Sequence, residues 1–219
     1  GTWTVDSFSP GGSTTLDLTV EQDDDAPGTI SATVDALDQT DDTPASASAA
    51  IVSRPYGSGS ALALGAGDYA SMGTMDLSGS AITLEAWVKP TQFPNTIHTI
   101  AGIEAGSSTA LLRVGDSGLA PDKPQFVLKF GGTAVRLDSQ VSLSTGEWQH
   151  VAGVYDGSQM RLYVDGVLEG TRIQSGAFTA RETFRVGQSQ GARPFFGQVD
   201  QVRVWDTALP TQQIRAQAR

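Results

Sequence analysis

The feature that most restricts this chain is its punctuation. Short apolar stretches of alternating pattern, closed by Gly or Asp-Gly, recur along almost its whole length. Thr15-Leu16-Asp17-Leu18-Thr19-Val20-Glu21 and residues 29–35 alternate with period two, the repeat of a strand with one face in water. The turn between them, Asp23-Asp24-Asp25-Ala26-Pro27-Gly28, carries the residues that turns demand. The same reading predicts strands at 61–64, 69–72, 82–89, 98–103, 110–114, 125–130, 134–137, 148–155, 160–164, 167–173, 184–186 and 198–205. Asp156-Gly157 and Asp165-Gly166 bracket residues 160–164, a strong local signal for antiparallel hairpins. Only residues 209–215, with Pro210 near a helix start, read as helical. Strands at spacings of about 8–12 residues predict an all-β sandwich or barrel rather than an α/β fold.

Charge divides the chain. Residues 1–53 hold ten Asp or Glu and no Lys or Arg, whereas residues 54–219 hold fourteen of each sign. The net charge of −10 therefore belongs to the first quarter. Arg54-Pro55-Tyr56-Gly57-Ser58-Gly59 reads as a linker at that step. The expected organisation is an acidic β segment at 1–54, a linker at 55–60 and a larger β domain at 61–219. An acidic balance excludes nucleic acid as a partner, because that binding rests on Lys and Arg neutralising phosphates. No apolar run reaches the roughly 20 residues of a membrane helix, so membrane insertion is not expected. With no cysteine there is no disulfide, thiolate metal site or thiol nucleophile. Surface carboxylates suit an extracellular or cell-surface setting, with any export signal removed or outside this sequence.

Four motifs then occur in order: Ile82-Thr83-Leu84-Glu85-Ala86-Trp87, Gly146-Glu147-Trp148-Gln149-His150-Val151, Leu162-Tyr163-Val164-Asp165-Gly166 and Phe196-Gly197-Gln198-Val199-Asp200-Gln201-Val202-Arg203-Val204-Trp205-Asp206. In this order and spacing, residues 57–219 resemble the laminin-G-like, or concanavalin-A-like, jelly-roll domain. The resemblance implies an antiparallel β-sandwich, here with a short C-terminal helix. It leaves function open, since one such fold hosts many sites. Trp87, Trp148 and Trp205 lie inside apolar strands and are expected to fill the space between two sheets.

The acidic segment resembles a second family. Thr2-Trp3-Thr4-Val5, Ser9-Pro10-Gly11-Gly12 and Gly28-Thr29-Ile30 are similar to the closing half of an Ig-like repeat of bacterial and archaeal surface proteins. Half a sandwich leaves an apolar face around Leu16, Leu18 and Val34 and unpaired strand edges, which template strand addition by another chain. Self-association through residues 1–54 is one expectation from this.

Catalytic signals are thin. Jelly-roll glycosidases set two carboxylates at alternate positions of one strand, but Glu85 has Thr83 and Trp87 as its same-face neighbours. His98 and His150 fall on separate strands, and no Gly-x-Ser-x-Gly, phosphate loop or His-Glu-x-x-His is present. The chain is expected not to be an enzyme. The jelly-roll resemblance implies a structural calcium tying an early strand to the last, with Asp68 and Asp200 as its candidate ligands. The phosphate-ligand calcium site of the related pentraxins is not expected, because Ser189 and Gly191 stand where those proteins carry acids. Candidate ligand-binding residues are Phe93 and Phe195, beside prolines in loop-like sequence, with Asp116, Asp122 and Arg193. The expected role is a non-catalytic extracellular adhesion module recognising glycan or a surface protein. The alternative is a subunit of a self-assembling fibre or surface layer, its incomplete N-terminal sheet completed by a neighbour.

Overall fold

The computed structural model describes residues 29–33, 46–50, 52–53, 60–95, 97–116, 118–189 and 193–218, with side chains from Ala61 onward. The strand expected at 15–21 and the candidate Ig-like face at Leu16, Leu18 and Val34 lie outside the described residues. Strands β1 (Thr29–Thr33) and β2 (Ser46–Ala50) pair as an antiparallel ribbon. A short β3 (Val52–Ser53) pairs with β4 (Ser60–Leu64) at the rim of a larger sheet.

From β4 the chain builds two antiparallel sheets. It continues through β5 (Ala70–Asp76), β6 (Ile82–Pro90), β7 (His98–Ala105), β8 (Ser108–Asp116), β9 (Leu119–Phe130) and β10 (Thr133–Asp138). Then follow β11 (Gln149–Tyr155), β12 (Gln159–Val164), β13 (Val167–Ile173), β14 (Arg181–Val186) and β15 (Gly197–Trp205), and the helix α1 (Thr211–Gln217). One sheet has six strands in the order β10-β9-β8-β7-β14-β5. The other has seven, β13-β12-β11-β6-β15-β4-β3. The repeated crossing between sheets makes this the expected antiparallel jelly-roll sandwich.

Period-two alternation supplies the core. Ile82, Leu84, Ala86 and Val88 of β6 face Ala110, Leu112 and Val114 of β8 and Phe126 and Leu128 of β9 across the sandwich, all essentially buried. Gly153 on β11 has no side chain because the Phe126 ring occupies the space a Cβ would take. The β12–β13 turn is the tight corner that the sequence announces: Asp165 and Gly166 have φ of 49° and 74°.

The tryptophans depart from expectation. Trp87 and Trp205 do not fill the space between the sheets. They lie half-buried on the outer face of the seven-stranded sheet, because β6 is buried on both sides. There Ala152, Val154 and Tyr163 meet Leu209 and Ile214 in a second small core, with Trp205 packed against it. Helix α1 closes this face. Tyr163 Oη and Thr211 Oγ1 are 2.9 Å apart, and Trp87 Nε1 donates to Gln217 O at 3.2 Å. Thr83 Oγ1 donates to Thr207 O at 2.8 Å and accepts from Leu209 N at 2.9 Å. Trp148 is also half-buried.

Candidate functional site

Among the described residues the outer face of the six-stranded sheet carries no covering helix, and it holds a groove of about 610 Å³. Strand alternation builds it. On β8 the inward residues are Ala110, Leu112 and Val114, so Thr109 and Arg113 point the other way. On β9 the inward Phe126 and Leu128 turn Val127 and Lys129 outward, and on β10 the inward Val135 and Leu137 do the same for Ala134 and Arg136. Glu104 of β7, paired with Thr109, forms one wall. Arg193 enters from the β14–β15 connection.

That connection is pinned to the sheet. Thr99 N donates to Arg193 O at 2.9 Å. Buried His98 faces two carbonyls, Pro194 O at 3.0 Å from Nδ1 and Asn95 O at 2.9 Å from Nε2, and so ties two loops to β7. Arg193 arrives with its guanidinium on Glu104 Oε1.

Arg113 is the centre of the charge arrangement. Its side chain is only 6% exposed. Its Nε donates to Gln125 Oε1 at 2.7 Å and its Nη2 to Asp116 Oδ2 at 2.8 Å, with Glu104 Oε1 at 3.9 Å from Nη1. The same Asp116 oxygen accepts from Arg136, which is half exposed. Burial pushes the Arg113 guanidinium down to about 10, with Glu104 and Asp138 resisting and Arg193 and Arg136 adding to the fall. It is still a cation at neutral pH. The groove thus gathers four basic side chains, Arg113, Lys129, Arg136 and Arg193, against two acids, Glu104 and Asp116. Among the described residues it has no aromatic lining residue.

Of the residues singled out in the sequence, the structure brings Asp116 and Arg193 to this groove and leaves the others elsewhere. Phe195 is fully buried in the core and offers no exposed ring. The adjacent prolines suggested a surface loop, but Phe195 N donates to Gly187 O at 2.7 Å and the ring turns inward. Phe93 is half-buried, packed on the core with its ring against the edge of His98 at 5.5 Å. Asp122 lies outside the groove; its carbonyl accepts from Leu143 N at 2.8 Å, and its buried Oδ1 has no hydrogen-bond partner among the described residues. Sequence reasoning missed Arg113, Arg136, Lys129 and Glu104. One signal was legible: Arg113 interrupts Ala110-Leu111-Leu112-Arg113-Val114, an otherwise apolar strand.

Asp68 and Asp200 do not converge. Asp68 turns back to accept from Gly65 N at 3.0 Å, beyond the end of β4 where Leu64 pairs with Gly197. Asp200 lies three residues along β15 in the other direction, opposite Trp87. About 10 Å or more of strand separates their levels. A hard cation wants several oxygen ligands at one point, and this pair does not fit that need. No group of three or more His, Asp or Glu side chains forms a metal seat among the described residues. The acidic runs at 23–25 and 41–42 lie outside those residues.

The family model described as the concanavalin A-like lectin/glucanases superfamily matches residues 64–215. The chain belongs to this superfamily. No curated protein sequence matches it. Among solved structures, its sandwich is similar to a Bacteroides ovatus protein proposed to bind carbohydrate, at 22% identity and a TM-score of 0.57. That match covers 78% of this chain, which spans only 54% of the Bacteroides protein. It is similar to domain 4 of an extracellular arabinanase of Geobacillus stearothermophilus, solved with arabinotriose, at 19% identity and a TM-score of 0.52, covering 88% and 82% of the two chains. The CBM40 module of a Ruminococcus gnavus sialidase, bound to α2,3-sialyllactose, aligns at 20% identity and a TM-score of 0.52, covering 64% of this chain and 83% of the module. At these identities the likeness is one of fold.

A second polar cluster in this lectin-like sandwich sits under α1. Glu85, fully buried, accepts from Trp205 Nε1 at 3.2 Å and lies 3.4 Å from both His150 Nε2 and Arg203 Nη1. Burial alone would raise the Glu85 carboxyl, but the nearby His150, the Trp205 hydrogen bond and the Arg203 charge outweigh it and lower it. The cluster is closed over by its own helix, Trp87 stacking beside His150 at 5.5 Å. Its geometry suits fixing α1 to the sheet rather than reaching a ligand.

Proposed function

We propose that the chain is a non-catalytic glycan-binding module and that the groove on β7–β10 is its combining site. The observation that carries this reading is the groove itself. It is open and wide enough for a short saccharide, and it is lined by hydrogen-bonding side chains fixed on four neighbouring strands. Side chains mounted on a sheet are held more firmly than side chains on loops, which lowers the ordering cost of binding a polar ligand. The carbohydrate-binding neighbours in the fold comparison support the same reading, as does the single same-face carboxylate on β6. Extracellular or cell-surface residence is part of the proposal, supported by the acidic chain and by the extracellular setting of the arabinanase neighbour.

The test is a glycan array probed with the full chain, followed by calorimetry on the hits. Binding of a defined saccharide that weakens when Thr109 and Lys129 are replaced by alanine is the expected result. Hits that survive both replacements would move the site elsewhere on the molecule.

A further inference from the structure

Resting on the glycan-binding reading, we infer that the groove selects saccharides carrying an oxyanion, seated between Arg136, Arg193 and Arg113. Three independent features of the groove lead there. The first is charge. Among the described residues, four Lys or Arg side chains line this groove against two Asp or Glu. Asp116 is shared between Arg113 and Arg136, and Glu104 between Arg193 and Arg113, so two carboxylates serve three guanidiniums. Lys129 adds another cation, its ammonium on Gly106 O. Asp138, reached through Gln125, returns one negative charge and still leaves the site positive.

The second is what the lining omits. Neutral sugars present apolar ring faces that favour flat aromatic platforms, and among the described residues this groove offers none. Its floor is instead small, with Ala105, Gly106, Thr109 and Ala134, leaving room above the guanidiniums. Planar guanidinium forks match carboxylate and sulfate oxygens, and Arg136 and Arg193, 48% and 35% exposed, keep part of their surface open to the groove while paired with Asp116 and Glu104. The third is an acceptor on the wall. The Glu104 side chain lines the groove and is 23% exposed, which suits a sugar hydroxyl beside the oxyanion.

The experiment is calorimetry of the full chain with trigalacturonate, its methyl ester, a sulfated galactose disaccharide and the neutral hits of the glycan array. Charge-assisted hydrogen bonds predict that the methyl ester binds about tenfold or more weakly than the acid. Arg136→Gln should weaken the acidic ligand by a similar factor while the melting temperature stays put. Arg215→Gln, on α1 across the sandwich, should change nothing. Raising NaCl from 50 to 500 mM should weaken binding further. Binding of the sulfated disaccharide alone would support the inference with sulfate as the source of the oxyanion. Equal binding of acid and ester, or array hits that are all neutral and indifferent to Arg136→Gln, would overturn it and leave the glycan-binding reading standing. An array with no hit at all would overturn both.

Discussion

Replacing Asp116 by Asn removes one negative charge and leaves the shape of the side chain nearly intact. Two partners feel the change differently. Arg113 is 6% exposed and bonded to Asp116 at 2.8 Å, whereas Arg136 is 48% exposed. Breaking a buried ion pair by removing one partner costs about 3–5 kcal/mol. Arg113 keeps Gln125 at 2.7 Å and Glu104 at 3.9 Å, and the amide oxygen of Asn still accepts one hydrogen bond. The loss should therefore sit at or just below the lower end, about 2–3 kcal/mol. In a chain of this size that is a fall of roughly 4–12 °C in melting temperature. Arg136→Gln, which breaks the exposed half of the same pair, should cost about 0.5 kcal/mol or less. Urea titration of both variants at pH 7 reads the two numbers. Salt sharpens the test, since a buried pair is screened far less than a surface one. A loss under about 1 kcal/mol for Asp116→Asn, or a loss that 1 M NaCl removes, would refute the claim that Arg113 depends on Asp116 as a buried counter-charge.

Other perturbations probe the frame. Glu85 is held below its ordinary value of 4.5, so its contribution is present above about pH 4.5 and fades as pH falls through the folded value. Glu85→Gln should thus be less stable than the parent at pH 7, and the gap between the two urea midpoints should narrow as pH falls below 4.5 and through the folded value. Ile214→Ala, at a fully buried position under α1, should cost about 3 kcal/mol and expose the amides of residues 211–217 to hydrogen exchange before the β-sheet amides. Gly153→Ala should displace the Phe126 ring and cost about 1–3 kcal/mol, readable as a drop in denaturation midpoint and a changed aromatic circular dichroism signal.

Strands whose two faces differ were legible in the sequence. Residues 167–173 were read as a strand and form β13, and Asp165-Gly166 gave its turn. The helix was also legible, since Pro210 precedes its first turn and Ile214 is its buried contact. Strand β9 runs from Leu119, six residues ahead of the expected start, because Pro121 and Pro124 hid it. A register shift at Val114–Asp116 of β8 accommodates that stretch. The tryptophans were misplaced for a physical reason: alternation shows that two faces differ, but β6 is covered on both, so periodicity could not say which face met the other sheet. The groove was half visible. Asp116 and Arg193 could be named from loop-like surroundings, but Arg113, Lys129 and Arg136 come together only through the pairing of β8 with β9 and of β9 with β10. Phe195 shows the converse error, a ring beside proline that packs inward.

The most direct test of the central claim is residue-by-residue amide shift mapping on isotopically labelled chain titrated with a saccharide hit. Saturable shifts should cluster at Glu104, Thr109, Arg113, Val127, Lys129 and Arg136, with the α1 face silent. Shifts confined to the β11–β13 sheet face or to the turn at Asp68, with β7–β10 unmoved, would contradict the assignment of the groove as the combining site.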